Sequence, residues 1–344
     1  MRRLFARFAP AFLAAPLVLL AVQGAPQAVS VASKAPSAAT VAAARANFIK
    51  DLSSHATELG GGNWSSPGVQ HAAGVAASPA NGTVSEFPSY NWSGYADSES
   101  GTKTVSNVSG SWTMPGVTCP TRPYQNSDAF LANWVGVDGF SDGTVEQLGT
   151  GAQCYEGVTY YYVWYEMFPA GTVEEGTTAC INDNVNCPQP GDLISASVSV
   201  TPGTAGNNNY TLSLTDHTRR QESFSTSATC ATATCVDSSG EWVIERPAFD
   251  LPFGFQILPA ADFNRTYFTA GDIVSGGKYT NIQGFSDGSV YDMPMIDDSA
   301  SYYLDCVGQP SPPGSLLSAT SATSCPTAVP DRNGGFETTW DAGF

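Results

Sequence analysis

Positive charge is what this chain has least of. Its 344 residues carry 14 Lys and Arg and 3 His against 31 Asp and Glu, for a net charge of −17. The imbalance is uneven along the chain. Residues 1–85 hold 6 Lys and Arg and 2 Asp and Glu, a net of +4, whereas residues 86–344 hold 8 and 29, a net of −21. A region that acidic is a poor partner for nucleic acid or for an anionic membrane. Histidine is scarcer still, since His217 is the one histidine beyond residue 85. Catalytic triads that use histidine as base, and zinc hydrolases that need two or three histidine ligands, are therefore short of material. His217 itself sits in Thr215-Asp216-His217-Thr218-Arg219-Arg220, a polar run that reads as a surface turn. There is no Cys-x-x-Cys, no Walker-type glycine loop, and neither Asp-Thr-Gly nor Asp-Ser-Gly. No metal or cofactor is expected, and hydrolysis is left to carboxylates and amides.

Long apolar runs are missing beyond the N-terminus. Residues 1–28 combine Arg2, Arg3 and Arg7 with an apolar run from Phe8 to Val22 and small residues around Gly24, Ala25 and Ala28. That order is a secretory signal peptide. At about 15 residues the run falls short of the ~20 that a spanning helix needs. The protein is thus expected to be secreted and extracellular, with no membrane association once the signal is removed. Residues 29–85 read as a propeptide and connector. Between Ser37 and Glu58 the positions Val41, Arg45, Phe48, Ile49 and Leu52 recur at helical spacing, closed by Gly60-Gly61-Gly62, and a Gly-, Ser-, Pro- and Ala-rich stretch follows. Arg45, Lys50 and protonated His55 lie on or near that helix. Facing a domain of net −21, the propeptide is expected to act as an electrostatic inhibitor that acid releases by protonating the carboxylates.

Residues 86–344 are a single domain, expected as a monomer. Runs of Thr, Val, Tyr, Trp and Phe broken by Gly, Pro, Asn and Asp predict an all-β sandwich or barrel. Strands are expected at Ser89–Ala96, Thr104–Met114, Asn133–Val137, Val158–Phe168, Leu193–Thr201, Asn209–Thr215, Glu241–Arg246, Ile282–Phe285 and Phe336–Trp340. Residues 139–145 and 284–290 nearly repeat around an Asp-Gly turn. All 8 cysteines lie beyond residue 118, and an exported chain with an even number favours disulfides. Proximity suggests Cys180 with Cys187 and Cys230 with Cys235, leaving Cys119 with Cys154 and Cys306 with Cys325. Mutual repulsion among so many carboxylates raises their folded-state pKa, so stability is expected to fall as pH rises through the acidic range.

Two stretches carry candidate chemistry. In an extended Gly240-Glu241-Trp242-Val243-Ile244-Glu245-Arg246-Pro247, Trp242 and Ile244 enter a core while Glu241, Val243 and Glu245 face the other way. The second is Val145-Glu146-Gln147-Leu148-Gly149. Amide hydrolysis needs a base for water, a donor for the oxyanion and an acid for the leaving nitrogen. A carboxylate can supply the first and third. A glutamine amide can supply the second and, being neutral, keeps that role at low pH. The same features allow two other readings: a lectin-like carbohydrate-binding sandwich with aromatic platforms, and a glycosidase using paired carboxylates such as Glu241 with Glu245 or Glu166 with Glu245.

Six segments, in order, resemble the glutamic peptidases, or eqolisins. They are Asn91-Trp92-Ser93-Gly94-Tyr95, Ser111-Trp112-Thr113-Met114-Pro115, Trp134-Val135-Gly136-Val137-Asp138-Gly139, Val145-Glu146-Gln147-Leu148-Gly149-Thr150, Trp164-Tyr165-Glu166 and Glu241-Trp242-Val243-Ile244-Glu245. The resemblance implies a concanavalin-like sandwich of two antiparallel sheets with the active site on the concave face of one sheet. It implies a pepstatin-insensitive acid endopeptidase acting on protein or peptide substrates. Gln147 and Glu245, rather than Glu241, match the catalytic pair, and Trp134, Asp138, Trp164 and Glu166 match residues that line or support the cleft. Glu146 and Arg246 depart from some members, which carry an apolar residue and an acid there.

Overall fold

The computed structural model describes residues 64–65, 78–79, 84–99, 103–119, 129–155, 158–175, 187–203, 207–219, 223–230, 235–251, 254–282, 289–296, 303–308 and 336–340. The expected signal peptide, the helix at 37–58 and the second Asp-Gly turn lie outside these residues.

Extended structure dominates because β-branched and aromatic residues alternate with polar ones between Gly, Pro and Asp breaks. The principal strands are β1 (Trp92–Ser98), β2 (Val105–Thr113), β3 (Ala129–Val137), β4 (Val145–Tyr155), β5 (Val158–Phe168), β6 (Leu193–Thr201), β7 (Asn209–Asp216), β8 (Phe224–Thr229), β9 (Ser239–Glu245), β10 (Arg265–Ser275), β11 (Lys278–Asn281), β12 (Ser289–Met293) and β13 (Phe336–Trp340). They form two sheets. The front sheet runs β12-β1-β9-β3-β4-β5, with Thr172–Glu175 beyond β5 and Val84–Glu86 and Ser78–Pro79 beyond β12. The back sheet runs β8-β7-β6-β2-β10-β13, continued by Tyr303–Gly308 and Met295–Ile296, and β11 folds back on β10. Pairing is antiparallel apart from β12 with Val84–Glu86. A small three-stranded sheet joins Trp64–Ser65, Ala248–Leu251 and Gly254–Ile257.

The main core lies between the two sheets. Trp112, Val108 and Ile273 of the back sheet meet Val135, Leu148, Trp242 and Ile244 of the front sheet, all fully buried. Two indoles also bond across or near this layer: Trp112 Nε1 donates to Thr150 Oγ1 at 3.0 Å, and Trp242 Nε1 to the Ser109 carbonyl at 2.8 Å. A second apolar cluster covers the opposite face of the front sheet, with Trp92, Trp134, Tyr162, Trp164 and Val243. Strand β3 is therefore buried along its whole length, which accounts for its nearly continuous apolar sequence. The alternation expected of β9 holds, since Trp242 and Ile244 enter the main core and Val243 the second cluster.

Disulfides join Cys119 to Cys154 and Cys230 to Cys235. Cys187 is disulfide-bonded as well. The expected Cys180–Cys187 and Cys306–Cys325 pairings reach outside the described residues.

Candidate active site

The register of the front sheet stacks side chains in rows across five strands. One row sets Ala96, Glu241, Gly136, Gln147 and Glu166 side by side. Two residues along, the next row is Gly94, Val243, Trp134, Gly149 and Trp164, and the third is Trp92, Glu245, Ala132, Gly151 and Tyr162. Period-two alternation puts all three rows on the face of the second apolar cluster. Five residues singled out by sequence, Trp134, Gln147, Trp164, Glu166 and Glu245, thus share one face. The sixth, Asp138, lies just past the end of β3.

Glycine is needed inside these rows. A Cβ at Gly136 would stand 2.8 Å from Trp134 Cζ3 and 3.2 Å from Gln147 Cβ, so its absence lets the indole lie across the first row. Trp134 packs edge-on against Trp92, with ring centroids 4.8 Å apart. Its Nε1 donates to Glu245 Oε2 at 2.8 Å. Asn91 Nδ2 donates to Oε1 of the same carboxylate at 3.2 Å. Asn91 is oriented in turn by Ser89, whose hydroxyl donates to Asn91 Oδ1 at 3.0 Å and accepts the backbone N–H groups of Asn91 and Trp92. In the sequence Asn91 stands out as part of a motif and not as a site residue. The available signal was its place one residue before Trp92, the strand partner of Glu245.

Gln147 is held differently. Its Nε2 donates to Glu166 Oε2 at 3.0 Å, its neighbour in the row. By register Gln147 faces Glu241 across Gly136, while Glu245 lies two strands and four residues away, about 10 Å across and about 13 Å along the sheet between Cα atoms. Gln147, Glu166, Glu241 and Glu245 are all 0 % exposed.

Around the first row lies a cluster of buried acids. Asp138 adopts φ 68°, followed by Gly139 at 102°, which turns the chain at the end of β3. The Asp138 carboxylate accepts the backbone N–H groups of Val236, Asp237 and Ser238 at 3.0, 2.8 and 2.6 Å. It fastens the start of β9 to the end of β3. Asp142 caps the same turn, accepting N–H groups of Gly139 and Thr144 and the Ser238 hydroxyl. Burial, then Asp142, pushes the Asp138 carboxyl up to about 7 against the pull of its N–H donors. Glu241 is pushed well above the ordinary carboxyl range by burial, with Asp138, Asp142 and Glu146 adding repulsion and Ser239 opposing.

Glu146 points to the other side of β4 from Gln147. Burial first, then Asp138, Asp237 and Asp142, raises it to about 10. Its Oε1 lies 2.9 Å from Cys235 Sγ. A disulfide sulfur carries no hydrogen, so the protonated Glu146 is the donor of that contact. Glu146, Cys230 and Cys235 also make the one grouping of possible metal ligands among the described residues, but both sulfurs are joined in the disulfide.

Arg246 does not turn along the face of Glu245 by alternation. Its Nε donates to the Tyr90 carbonyl at 2.8 Å and its backbone N–H to the Asn91 carbonyl. His217 lies exposed in the turn after β7, 2.7 Å from Ser195 Oγ on the back sheet.

The Peptidase A4 family profile matches residues 90–306, which is well over half of the chain. The chain belongs to the peptidase A4 family. It is a glutamic-type peptidase. Scytalido-glutamic peptidase, solved with a transition state analog inhibitor, superposes with a TM-score of 0.52 at 18 % identity, covering 73 % of this chain and 98 % of that one. The same enzyme with a peptide-based transition state analog gives 0.51 at 18 %, with the same coverage. Aspergilloglutamic peptidase from Aspergillus niger matches at 19 % identity over 62 % of this chain and 99 % of its own, with a TM-score of 0.40. No curated protein sequence matches it. At these identities the two scytalido-glutamic peptidase structures bear on the fold alone, and the family assignment rests on the profile.

Proposed function

We propose that this peptidase is a secreted endopeptidase that works at acid pH, with Glu245 as general base and acid and Gln147 as oxyanion donor. The observation that carries the reading is the setting of Glu245. Two N–H donors, from Trp134 and Asn91, converge on its two oxygens and stabilise negative charge there. A carboxylate so placed takes a proton from water as the oxygen attacks the scissile carbonyl carbon. The tetrahedral oxyanion then receives an N–H from Gln147, whose amide is oriented through Glu166. Collapse breaks the C–N bond, and Glu245 returns its proton to the departing nitrogen. An oxyanion donor of this kind contributes about 3 kcal/mol. Trp134 and Trp164 form the floor beneath an extended substrate, and Asp138 acts through the turn it fastens.

The N-terminal stretch is assigned as an inhibitory propeptide. Its described part supports this: Trp64–Ser65 pairs antiparallel with Ala248–Phe249, three residues beyond Glu245. We read the active form as a monomer acting on unfolded protein.

The test is digestion of a denatured protein at about pH 4, near the ordinary pKa of glutamate, with and without pepstatin, followed by N-terminal sequencing of the enzyme. Pepstatin-insensitive cleavage is expected, together with self-cleavage between Gly60 and Glu86. Absence of any cleavage after removal of residues 1–85 would sink the proposal.

A further inference from the structure

The back sheet has a feature that the reaction does not use. On β10, Ile273 enters the main core, so Asp272 and Val274 point outward. Strand β11 pairs there, with Asn281 opposite Asp272 and Tyr279 opposite Val274. Asp272, Asn281 and Tyr279, together with Thr269, Ala270 and Thr280, line a depression of about 560 Å³. Tyr279 stands 70 % exposed beside it, the most exposed large apolar side chain among the described residues. Asp272 lies close enough to raise the pKa of its hydroxyl.

The surface leading away from this hollow is uncharged. The row of Asn281 and Asp272 continues through Ser109, Ser197, Ser213 and Ser225. The row of Tyr279 and Val274 continues through Asn107, Ser199, Thr211 and Ser227. Their hydroxyls bond laterally, as Ser213 Oγ does with Ser225 Oγ at 2.8 Å and Asn107 Nδ2 with Ser199 Oγ at 2.8 Å. Asp272 is the one ionisable acid or base, tyrosine apart, in these two rows. In a domain with 29 acids against 8 Lys and Arg, so neutral a face repels an uncharged polymer least and an anionic one through the field of the whole.

We propose that the depression formed by Tyr279, Asp272 and Asn281 binds neutral carbohydrate, extended by the Ser and Thr rows of the back sheet, so that the peptidase tethers to polysaccharide through the face away from its active site. An aromatic ring with an apolar face and polar rim suits the apolar face of a sugar. A carboxylate and an amide side by side offer the acceptors and donors that adjacent hydroxyls require. The cavity size is that of a small-molecule site.

Native affinity electrophoresis of the full chain through gels containing soluble starch, hydroxyethyl cellulose, laminarin or polygalacturonate tests this. Retardation by at least one neutral polymer is expected. Tyr279→Ala should weaken it about tenfold, and Asp272→Ala should weaken it too. Tyr279→Phe, which keeps the ring, should retain most of it. Tyr279 is exposed, so its variants should fold, and their hydrolysis of a short peptide should match wild type. The proposal is overturned if no neutral polymer retards the protein, if only polygalacturonate does, or if retardation survives Tyr279→Ala unchanged.

Discussion

Glu241 and Glu245 lie four residues apart on one face of one strand, and their surroundings could hardly differ more. Glu245 has two N–H donors aimed at its oxygens, from Trp134 and Asn91. Glu241 is fully buried, and that burial, with Asp138, Asp142 and Glu146 adding repulsion, pushes its carboxyl well above the ordinary carboxyl range. Sequence alone makes the two equivalent. Their neighbours separate a carboxyl whose oxygens accept two N–H groups from one crowded by other acids, which is why the proposed base is the first. Yet the register places Glu241, not Glu245, in the row of Gln147, so the comparison can be broken by experiment. Glu245→Gln should lower kcat/KM by roughly 10²- to 10⁴-fold, the usual contribution of general acid–base catalysis. Gln147→Ala should cost about 10²- to 10³-fold in kcat. Glu241→Gln should retain far more activity. A dead Glu241→Gln with an active Glu245→Gln would transfer the catalytic role to the first row.

The acid cluster sharpens the same contrast through stability. A carboxyl whose folded pKa is raised stays protonated in the folded state while the unfolded chain ionises, so the unfolded state binds fewer protons and stability falls as pH rises. For Glu146 the window runs from its ordinary value of 4.5 to about 10, and for Asp138 from 3.8 to about 7. Below about pH 4 neither group penalises folding. Each costs about 1.4 kcal/mol per pH unit inside its window. Urea midpoints between pH 4 and 8, measured in a Glu245→Gln background to prevent self-digestion, should decline steeply. Adding Glu146→Gln should flatten that decline by about one proton's worth. An unchanged slope would mean that Glu146 ionises normally, and the disulfide contact would then need another account.

Between these in size is the loss of one donor. Trp134→Phe keeps a ring in the second row but removes the N–H on Glu245, a hydrogen bond to charge worth about 1.5–3 kcal/mol. Activity should fall about 10- to 100-fold with the fold retained. A drop as large as that of Glu245→Gln, with normal stability, would instead point to a substrate contact for the indole.

Much of the fold was legible because alternation and turn chemistry are local. Leu193–Thr201, Val158–Phe168 and Phe336–Trp340 appear with the bounds their sequences imply. The strand at Arg265–Ser275 gives no clear signal in the sequence. Gly271 interrupts its apolar pattern, and a register shift between Phe268 and Ala270 breaks the period-two alternation, so neither face reads cleanly. Val145–Tyr155 shows in the sequence only as a short stretch around Gln147, for its Gly149 and Gly151 look like breaks, whereas they make room for Trp134 and Tyr162 of the adjacent strands. The candidate site residues come from the motifs. Their pairings do not. That Trp134 would donate to Glu245, that Asn91 would join it, and that Glu146 would lie behind the sheet all depend on register, which is fixed by non-local packing. Asp138 illustrates the limit, since its carboxylate answers three N–H groups about 100 residues away in sequence.

The smallest effect expected is at His217, and it matters because histidine is otherwise the default base. The side chain lies exposed after β7 and meets the Ser195 hydroxyl at the margin of the back sheet. The front-sheet residues assigned to chemistry are separated from it by the main core. Surface changes away from caps and buried networks usually fall within ±0.5 kcal/mol, and one exposed hydrogen bond is near that scale. His217→Ala should therefore leave kcat, KM and the pH profile of peptide hydrolysis at wild-type values, with a midpoint of unfolding almost unmoved. A loss of activity beyond about threefold, or a profile shifted on its alkaline side, would reinstate histidine in the mechanism and remove the ground on which the carboxylate–amide pair was chosen.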